Sequence, residues 1–275
     1  PYFQCKLQVR RAVESILGQT HTDLTLAVVN DGDNDSPWEQ LADICDPRLI
    51  RFDLNSNHGR YFADAVVLNA TTSPYFLVQN AADWSEPERL SILLEVIRED
   101  HADAAISAEY HYSVVEGRVV SQGKKGYPST NQSLTHRFEN RASYRGLFRT
   151  EALREIGGPY AGFHTGYGVL LIHFLLMMGR IAYLGDPLYH RVIQFASFKE
   201  GSGGTASATR REVALQLEKL YDETFELYIE YLAGHIEEET LARLIHQICK
   251  RGVTQKDQAD LREEAHRLRT VLALC

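Results

Sequence analysis

The chain has 275 residues, a mass of 31.2 kDa, a formal net charge of -8 and a pI near 5.8. Hydrophobic residues at 44% and charged residues at 24% describe an ordinary globular protein that can bury a large core without disulfides or a structural metal. The acidic balance excludes a basic nucleic-acid footprint. No apolar run reaches the roughly 18 residues of a membrane helix; the nearest, Gly168 to Met178, reads as a buried helix.

The first half alternates two periodicities. Leu7, Val9, Ala12, Val13, Ile16 and Leu17 recur at helical spacing and predict an amphipathic helix over residues 6–18. Leu24 to Val29 reads as a buried strand stopped by Asn30-Asp-Gly-Asp33. A short helix is predicted from Pro37 to Ile44, with Ser36 as its cap and proline in its first position. Leu49 to Leu54 is a second strand, Gly59 to Ala70 a helix, Pro74 to Val78 a third strand, and Pro87 to Arg98 a strongly amphipathic helix. Helices alternating with short apolar strands predict an α/β fold with a mostly parallel, Rossmann-like sheet covered by helices.

The middle is less regular. Ala102 to Val115 and Arg118 to Ser121 form a predicted hairpin about Glu116-Gly117. Gly123 to Arg137 is polar and reads as a mobile loop near a site. A helix from Thr150 to Ile156 stops at Gly157-Gly158; a second runs from Tyr167 to Met178 and precedes a strand near Ile181 to Leu184. The Gly/Ser stretch from Glu200 to Ser207 is a linker or a loop over a site. Beyond it all is helical, with apolar stripes at Val213 to Leu232, Leu241 to Ile248 and Leu261 to Leu272. The expected division is residues 1–204 as an α/β domain and 205–275 as a C-terminal helical extension. That extension either docks on its own chain or forms a homodimer interface.

The four cysteines, Cys5, Cys45, Cys249 and Cys275, are scattered in a spacing that suits neither a zinc cage nor a disulfide framework. Reduced thiols and a cytoplasmic location are the expectation, since the first residues show no secretory signal pattern.

Ligands of open α/β sheets bind beyond the carboxyl ends of the strands. Three polar clusters sit at such ends: Asn30 to Asp35, Asn55 to Arg60, and Gln79 to Asp83. Each alone is ordinary turn chemistry; three on one rim favour a ligand cleft. The order of motifs then resembles the family 2 glycosyltransferases, which have the nucleotide-sugar-binding GT-A fold. The likeness runs through Pro1-Tyr2, Ala12 to Thr20, Val28 to Asp33, Asn57-His-Gly59, Tyr75 to Trp84 with Pro87 to Leu90, Leu147 to Gly158, and Gly179 to Arg191. It covers the chain from Pro1 to about Val192. In the family an apolar first strand precedes the Pro-x-Tyr motif, and it lies inside the sheet. An interior strand cannot be removed without orphaning two ladders, so a strand upstream of Pro1 is expected.

The resemblance implies sugar transfer from a pyrimidine-nucleotide donor, a UDP- or dTDP-sugar, to an acceptor hydroxyl with inversion. It makes Asp31 the acceptor for the pyrimidine imide, with Pro1, Tyr2, Asn57, Gly59 and Arg60 as donor-site neighbours and Arg60 able to approach phosphate. The family's Mg²⁺ or Mn²⁺ ion is held by acids at the third strand's end. Here those positions are Asn80, Ala82 and Asp83, and only Asp83 keeps a charge. His190 is either a further metal ligand or a packed histidine. The family's catalytic acid pair falls on Tyr167-Gly168, so His164, or else Asp83, is the candidate base. Two readings stay open: an active glycosyltransferase, and a catalytically impaired nucleotide-sugar-binding or regulatory protein acting through its helical tail. A nucleotidyltransferase is disfavoured because no Gly-rich phosphate loop is found. The expected partners are a nucleotide sugar and a hydroxyl-bearing acceptor, with no nucleic acid and no transmembrane segment.

Overall fold

The amphipathic stripe of residues 6–18 folds as α1, Lys6–Leu17, with Val9, Ala12, Val13 and Ile16 buried. The computed structural model describes residues 1–113, 118–123, 145–155, 180–193, 223, 226–227, 229–250 and 254–274. β1 (Leu26–Asn30) and β2 (Leu49–Asp53) pair in parallel, with Leu26 opposite Leu49 and Asn30 opposite Asp53. Between them Ser36 accepts a hydrogen bond from the Trp38 N–H, and Pro37 opens a 3₁₀ helix, Pro37–Leu41. The element is shorter and tighter than the helix expected to Ile44, as is common for connectors of a single turn.

α2 spans Arg60–Ala70 and begins at Gly59, whose φ of 87° only glycine adopts without strain. β3 (Tyr75–Leu77), β4 (Trp84–Ser85) and α3 (Arg89–Glu99) follow. α3 buries the predicted stripe of Leu90, Leu93, Leu94 and Ile97. β5 (Ala104–Ser113) and β6 (Arg118–Gly123) form the expected antiparallel pair. β7 (Leu147–Arg149) leads into α4 (Thr150–Glu155), and β8 spans Ile181–Ile193.

A second sheet runs in the order β3-β7-β5-β8-β4, with β6 added to β5. The α/β class is the one the sequence predicts. Within it, β5 and β8 are parallel, while β3–β7, β5–β7 and β4–β8 are antiparallel. The sheet is mixed, not mostly parallel, because two very short strands, β4 and β7, are inserted against the direction of their neighbours. β8 extends well past Leu184, since register shifts between Ser107 and Ala108 and between Ala108 and Glu109 absorb Gly185-Asp186 and Leu188.

In the tail, α5 spans Glu238–Lys250 and α6 Gln255–Leu272, the latter opened by a capping box between Thr254 and Asp257. α6 lies on α2 and β2. Leu268 is fully buried in the cluster that holds Val29, Phe52 and Phe62, and Arg269 donates to the Asn69 carbonyl at 2.8 Å. α6 therefore docks on its own chain. No described helix is long and apolar enough to cross a membrane. The predicted loop over 124–137, the stop at Gly157-Gly158, the helix from Tyr167, the base candidate His164, the 200–207 stretch and the start of the first tail helix lie outside the described residues.

Candidate functional site

The carboxyl ends of β1 and β2 and the start of α2 build one rim. Asp31 follows β1 and is 2% exposed. Its N–H donates to the Tyr2 carbonyl at 3.0 Å, and its Oδ1 accepts from the His58 N–H at 2.9 Å. Gly32 lets this loop touch the next one: its φ is 66°, and a Cβ there would lie 2.4 Å from the Asn57 nitrogen. Asn30 stitches the turn, accepting from the Asp33 N–H and donating to the Asp33 carbonyl and to Asp53 Oδ1. Pro1, Tyr2, Asp31, Asn57, Gly59 and Arg60 thus meet at one place, although 25 residues separate the two loops' first members Asp31 and Ser56.

Burial raises the Asp31 carboxyl above its ordinary value, and the His58 and Gly59 amides partly hold it down. With both lone-pair-rich oxygens charged and only the His58 and Gly59 amides engaged, the carboxylate keeps acceptor capacity for a further N–H. Tyr2 is fully buried, donates its hydroxyl to the Asp35 carbonyl at 2.8 Å, and is pushed up to about 12 by burial. Arg60 stands in the first turn of α2 with its guanidinium 5.3 Å from the Tyr61 ring centroid and its Nε without a hydrogen-bond partner. His58 stacks on Phe62 at 4.2 Å and bonds Ser56, so it positions the loop.

The third cluster lies beside this rim: Ala81 packs with Tyr2 and Val28 in one core cluster. Its acid is differently placed. Asp83, 3% exposed, accepts from the Tyr189 hydroxyl at 2.6 Å, the Asn80 amide at 2.7 Å and the Val192 N–H at 2.8 Å. It also pairs with Arg145 at 3.3 Å. Tyr189 is raised well above the usual phenol range, by burial first and then by the Asp83 charge. These bonds take up Oδ2 and leave a metal, or a proton in transit, only the remaining site of Oδ1.

His190 does not join Asp83. It neighbours Tyr189 on β8, and successive strand residues point to opposite faces. Its Nε2 meets Glu86 at 2.5 Å, and its ring lies between Trp84 at 4.7 Å and Tyr110 at 4.8 Å. Arg11 covers the other side of Trp84 at 3.3 Å. This is the packed histidine of the two alternatives. The Asp83–His190 metal pair expected from sequence is therefore not formed. Ala82 offers no ligand atom, and no group of three His, Cys, Asp or Glu side chains able to hold a metal exists among the described residues. The described donor set does not fit Mg²⁺ or Mn²⁺.

Several residues of the cluster were not singled out from sequence. Arg89, fully buried, donates to Gln79 Oε1, Ser85 and the Arg145 carbonyl, and burial lowers it to about 10. It lies 4.4 Å over the Tyr189 ring. Glu109, 4% exposed, faces Arg145, Arg191 and His111. Arg89 and Tyr189 stand inside the quoted motifs Pro87 to Leu90 and Gly179 to Arg191; a charged residue at a helical position that should face the core was the available signal.

The sequence profile described as glycosyl transferase family 2 matches residues 1–157. Glycosyltransferase GlyA of Streptococcus pneumoniae is 28% identical over 119 residues, 42% of this chain and 17% of that protein. Chondroitin synthase of Escherichia coli is 28% identical over 136 residues, 49% of this chain and 20% of that protein. The matched part is thus at most a fifth of these curated relatives' length. Among solved structures, S. aureus TarS residues 1–349 in complex with UDP-GlcNAc gives a TM-score of 0.64 at 15% identity, covering 96% of this chain and 77% of that one. The UDP complex of the same fragment gives 0.59 at 18% identity, covering 70% and 59%. At such identities the likeness shows the fold.

Proposed function

The chain belongs to glycosyl transferase family 2, and on that premise we propose that it moves a sugar from a pyrimidine-nucleotide donor, a UDP- or dTDP-sugar, to an acceptor hydroxyl with inversion. One observation carries the donor assignment: the buried Asp31 carboxylate sits where three loops meet and has acceptor capacity left. A pyrimidine imide presents an N–H to such a group; a base presenting an acceptor there is repelled. The TarS fragment crystallised with UDP and with UDP-GlcNAc supports the uridine choice by fold likeness.

In this reading Arg60 approaches the diphosphate, whose charge grows as the sugar leaves. The acceptor oxygen attacks the anomeric carbon, the nucleoside diphosphate departs with the bonding pair, and the acceptor proton passes to a base. His164 is the proposed base, since an imidazole takes a proton near neutral pH. Asp83, whose Oδ2 accepts from Tyr189 and Asn80 and whose Oδ1 accepts from Val192, is the alternative base, with few open sites. Donor binding proceeds through Asp31 and Arg60, and no step is assigned to a metal.

A second reading is favoured by the same cluster. Ala82 and the locked Asp83 remove the family's usual acids, which suits a protein that binds a nucleotide sugar without turning it over. Calorimetric titration with UDP, dTDP, CDP and ADP tests the donor site, since cytosine N3 and adenine N1 present an acceptor where the imide presents an N–H. UDP and dTDP are expected to bind at least about tenfold more tightly than CDP and ADP, a difference of about 1.4 kcal/mol, and Asp31→Ala to abolish the preference. Equal binding of all four overturns the donor assignment. Release of UDP from UDP-sugars at high protein concentration separates the two readings: release establishes the transferase, and binding without release establishes the impaired binder.

A further inference from the structure

Two carboxylates grip the loop between β2 and α2 from opposite sides. Asp31 holds its inner side through the His58 and Gly59 amides. The outer side is held by the C-terminal helix. Glu264 of α6 is 3% exposed and stands in the buried stripe of Ala265 and Leu268. An acid at such a position is costly to bury unless its oxygens are paired. Its Oε1 accepts from the Asn55 N–H at 3.4 Å, and its Oε2 pairs with the Arg267 guanidinium. Arg267 in turn donates to the Asp53 carbonyl at 3.3 Å and lies over the Phe52 ring, 5.1 Å from its centroid.

These two bonds have the pattern of a strand residue. In a parallel ladder one residue donates its N–H to the carbonyl just before its opposite number and accepts from the N–H just after it. At the end of β2, Leu54 gives its N–H to the Asn30 carbonyl at 2.9 Å. Alternation therefore turns the Asp53 carbonyl and the Asn55 N–H to the edge away from β1. There Arg267 supplies the donor and Glu264 the acceptor that a residue opposite Leu54 would supply. The ion pair closes the edge of β2 where the strand gives way to the loop, a place where unpaired backbone groups leave a segment free to open locally.

α6 also packs on the two elements that flank this loop. Leu268 is buried in one cluster with Phe52 and Leu54 at the end of β2 and with Phe62 in the first turn of α2. Gly32 meets the loop from within, against the backbone of Ser56 and Asn57. The loop is thus tied at Asn55 on one side and at His58 on the other. Glu264 and Arg267 lie beyond residues 1–157, which the family profile matches, so the brace belongs to the tail of this chain.

We propose that the Glu264–Arg267 pair is a positioning device for the nucleotide site. It holds the loop of residues 55–59 in the form that turns the His58 and Gly59 amides onto Asp31, so the C-terminal extension completes the donor site. Both residues act through the backbone of Asn55 and Asp53. The effect on affinity follows from population: a loop that keeps its binding form about a tenth of the time binds about tenfold more weakly. Detachment of α6 thus lowers donor affinity with Asp31 intact, which gives the helical tail control over the site. This inference rests on the donor reading given above.

The test uses the full chain and reads two quantities: UDP affinity by calorimetry, and hydrogen exchange of the Asn55 and His58 amides without nucleotide. Glu264→Ala is expected to weaken UDP binding about tenfold and to speed both amides about tenfold. Glu264→Gln keeps an oxygen for the Asn55 N–H, so its UDP affinity is expected to stay within about twofold of the parent. It still loses the ion pair, and its Tm falls with that of Glu264→Ala. Ile97→Val, in the separate core cluster of α3, lowers Tm through a cavity alone and is expected to leave UDP affinity unchanged. A merely structural role makes affinity follow Tm across the three variants, and that result overturns the proposal. So does Glu264→Ala with parental affinity, or with parental exchange at Asn55 and His58. If Glu264→Ala does not fold, Glu264→Met, of similar volume and without a strong acceptor, takes its place under the same criteria. A parent that binds no UDP overturns the donor reading and, with it, the tail's part in donor binding. The exchange rates, measured without nucleotide, then still show whether Glu264 holds the loop, so the two failures are told apart.

Discussion

Two aspartates, Asp31 and Asp83, follow strands on the same rim and are almost equally buried, at 2% and 3% exposed, yet their surroundings differ. Asp83 is enclosed by donors from the chain itself: Tyr189, Asn80, Val192 and the Arg145 cation. Asp31 has backbone amides on one side and remains raised by burial. A buried carboxylate that the protein satisfies is structural. One that is left partly unsatisfied keeps acceptor capacity, and it costs the fold something to keep.

The contrast is sharpest in stability. Asp83→Ala leaves the Tyr189 hydroxyl and the Val192 N–H without their acceptor and takes the nearer carboxylate from the Arg145 guanidinium, and removal of one partner from a buried charged network costs about 3–5 kcal/mol. Chemical denaturation should show that loss. A variant as stable as the parent would mean that Asp83 is not the centre of its cluster.

Gly32 and Asp31 come next. Gly32→Ala places a Cβ against the Asn57 backbone at a positive φ, so the two loops must separate, with an expected loss of about 1–3 kcal/mol and weaker UDP binding. Asp31→Asn removes the charge and leaves one acceptor oxygen for three donors. UDP affinity should fall about 10- to 150-fold, from about 1.5–3 kcal/mol for a hydrogen bond to a charged group. Stability should not fall with it. Because burial raises Asp31 in the folded state, folding takes up protons above the ordinary value of 3.8, and the parent loses stability as pH rises through that window. Asparagine abolishes that slope. A large drop in Tm for Asp31→Asn would merge the two aspartates into one class.

The same shift predicts a pH dependence of binding with the opposite sign. An imide N–H donates to the carboxylate and not to the protonated acid, so UDP affinity should fall as pH is lowered through the raised value and level off above it. The approach is up to tenfold per pH unit on the acid side. Titrations of parent and Asp31→Asn at each pH cancel the nucleotide's own phosphate titration. A parent-to-variant ratio that does not change between pH 4 and 7 excludes the carboxylate as the imide's acceptor.

What could be read from sequence followed from periodicity and from turn chemistry. The stripe of Leu90, Leu93, Leu94 and Ile97 and the Ser36-Pro37 cap needed only local patterns, and α1, α2, α3, β1 and β2 appear where those patterns put them. The meeting of Asp31 with Asn57 and Gly59 was implied by motif order and rests on Gly32, whose missing side chain allows the approach. Strand direction was not legible, because β4 and β7 are too short to carry a pattern. Neither was the state of Asp83. Its partners Tyr189 and Val192 lie more than a hundred residues away, and a motif letter does not say whether a carboxylate is open or already satisfied. The register shifts that carry β8 past Pro187 decide it, and they depend on long-range pairing.

The smallest expected effect concerns the metal. The family's ion is held by acids at the end of the third strand, but here Asn80 donates into Asp83, Ala82 has no oxygen, and His190 is turned to the other face of β8 against Glu86. The proposed donor binding through Asp31 and Arg60 uses none of these groups. UDP affinity should therefore differ less than about twofold between EDTA and saturating Mn²⁺, well under the factor that 1.4 kcal/mol represents. The same pair of titrations on Ala82→Asp supplies the contrast: an added carboxylate beside the rim gives an ion a ligand and should restore a metal-dependent gain. If Mn²⁺ tightens UDP binding tenfold or more in the parent, ligands other than Asp83 and His190 hold it, and the division between an open Asp31 and a closed Asp83 no longer describes how the diphosphate is neutralised.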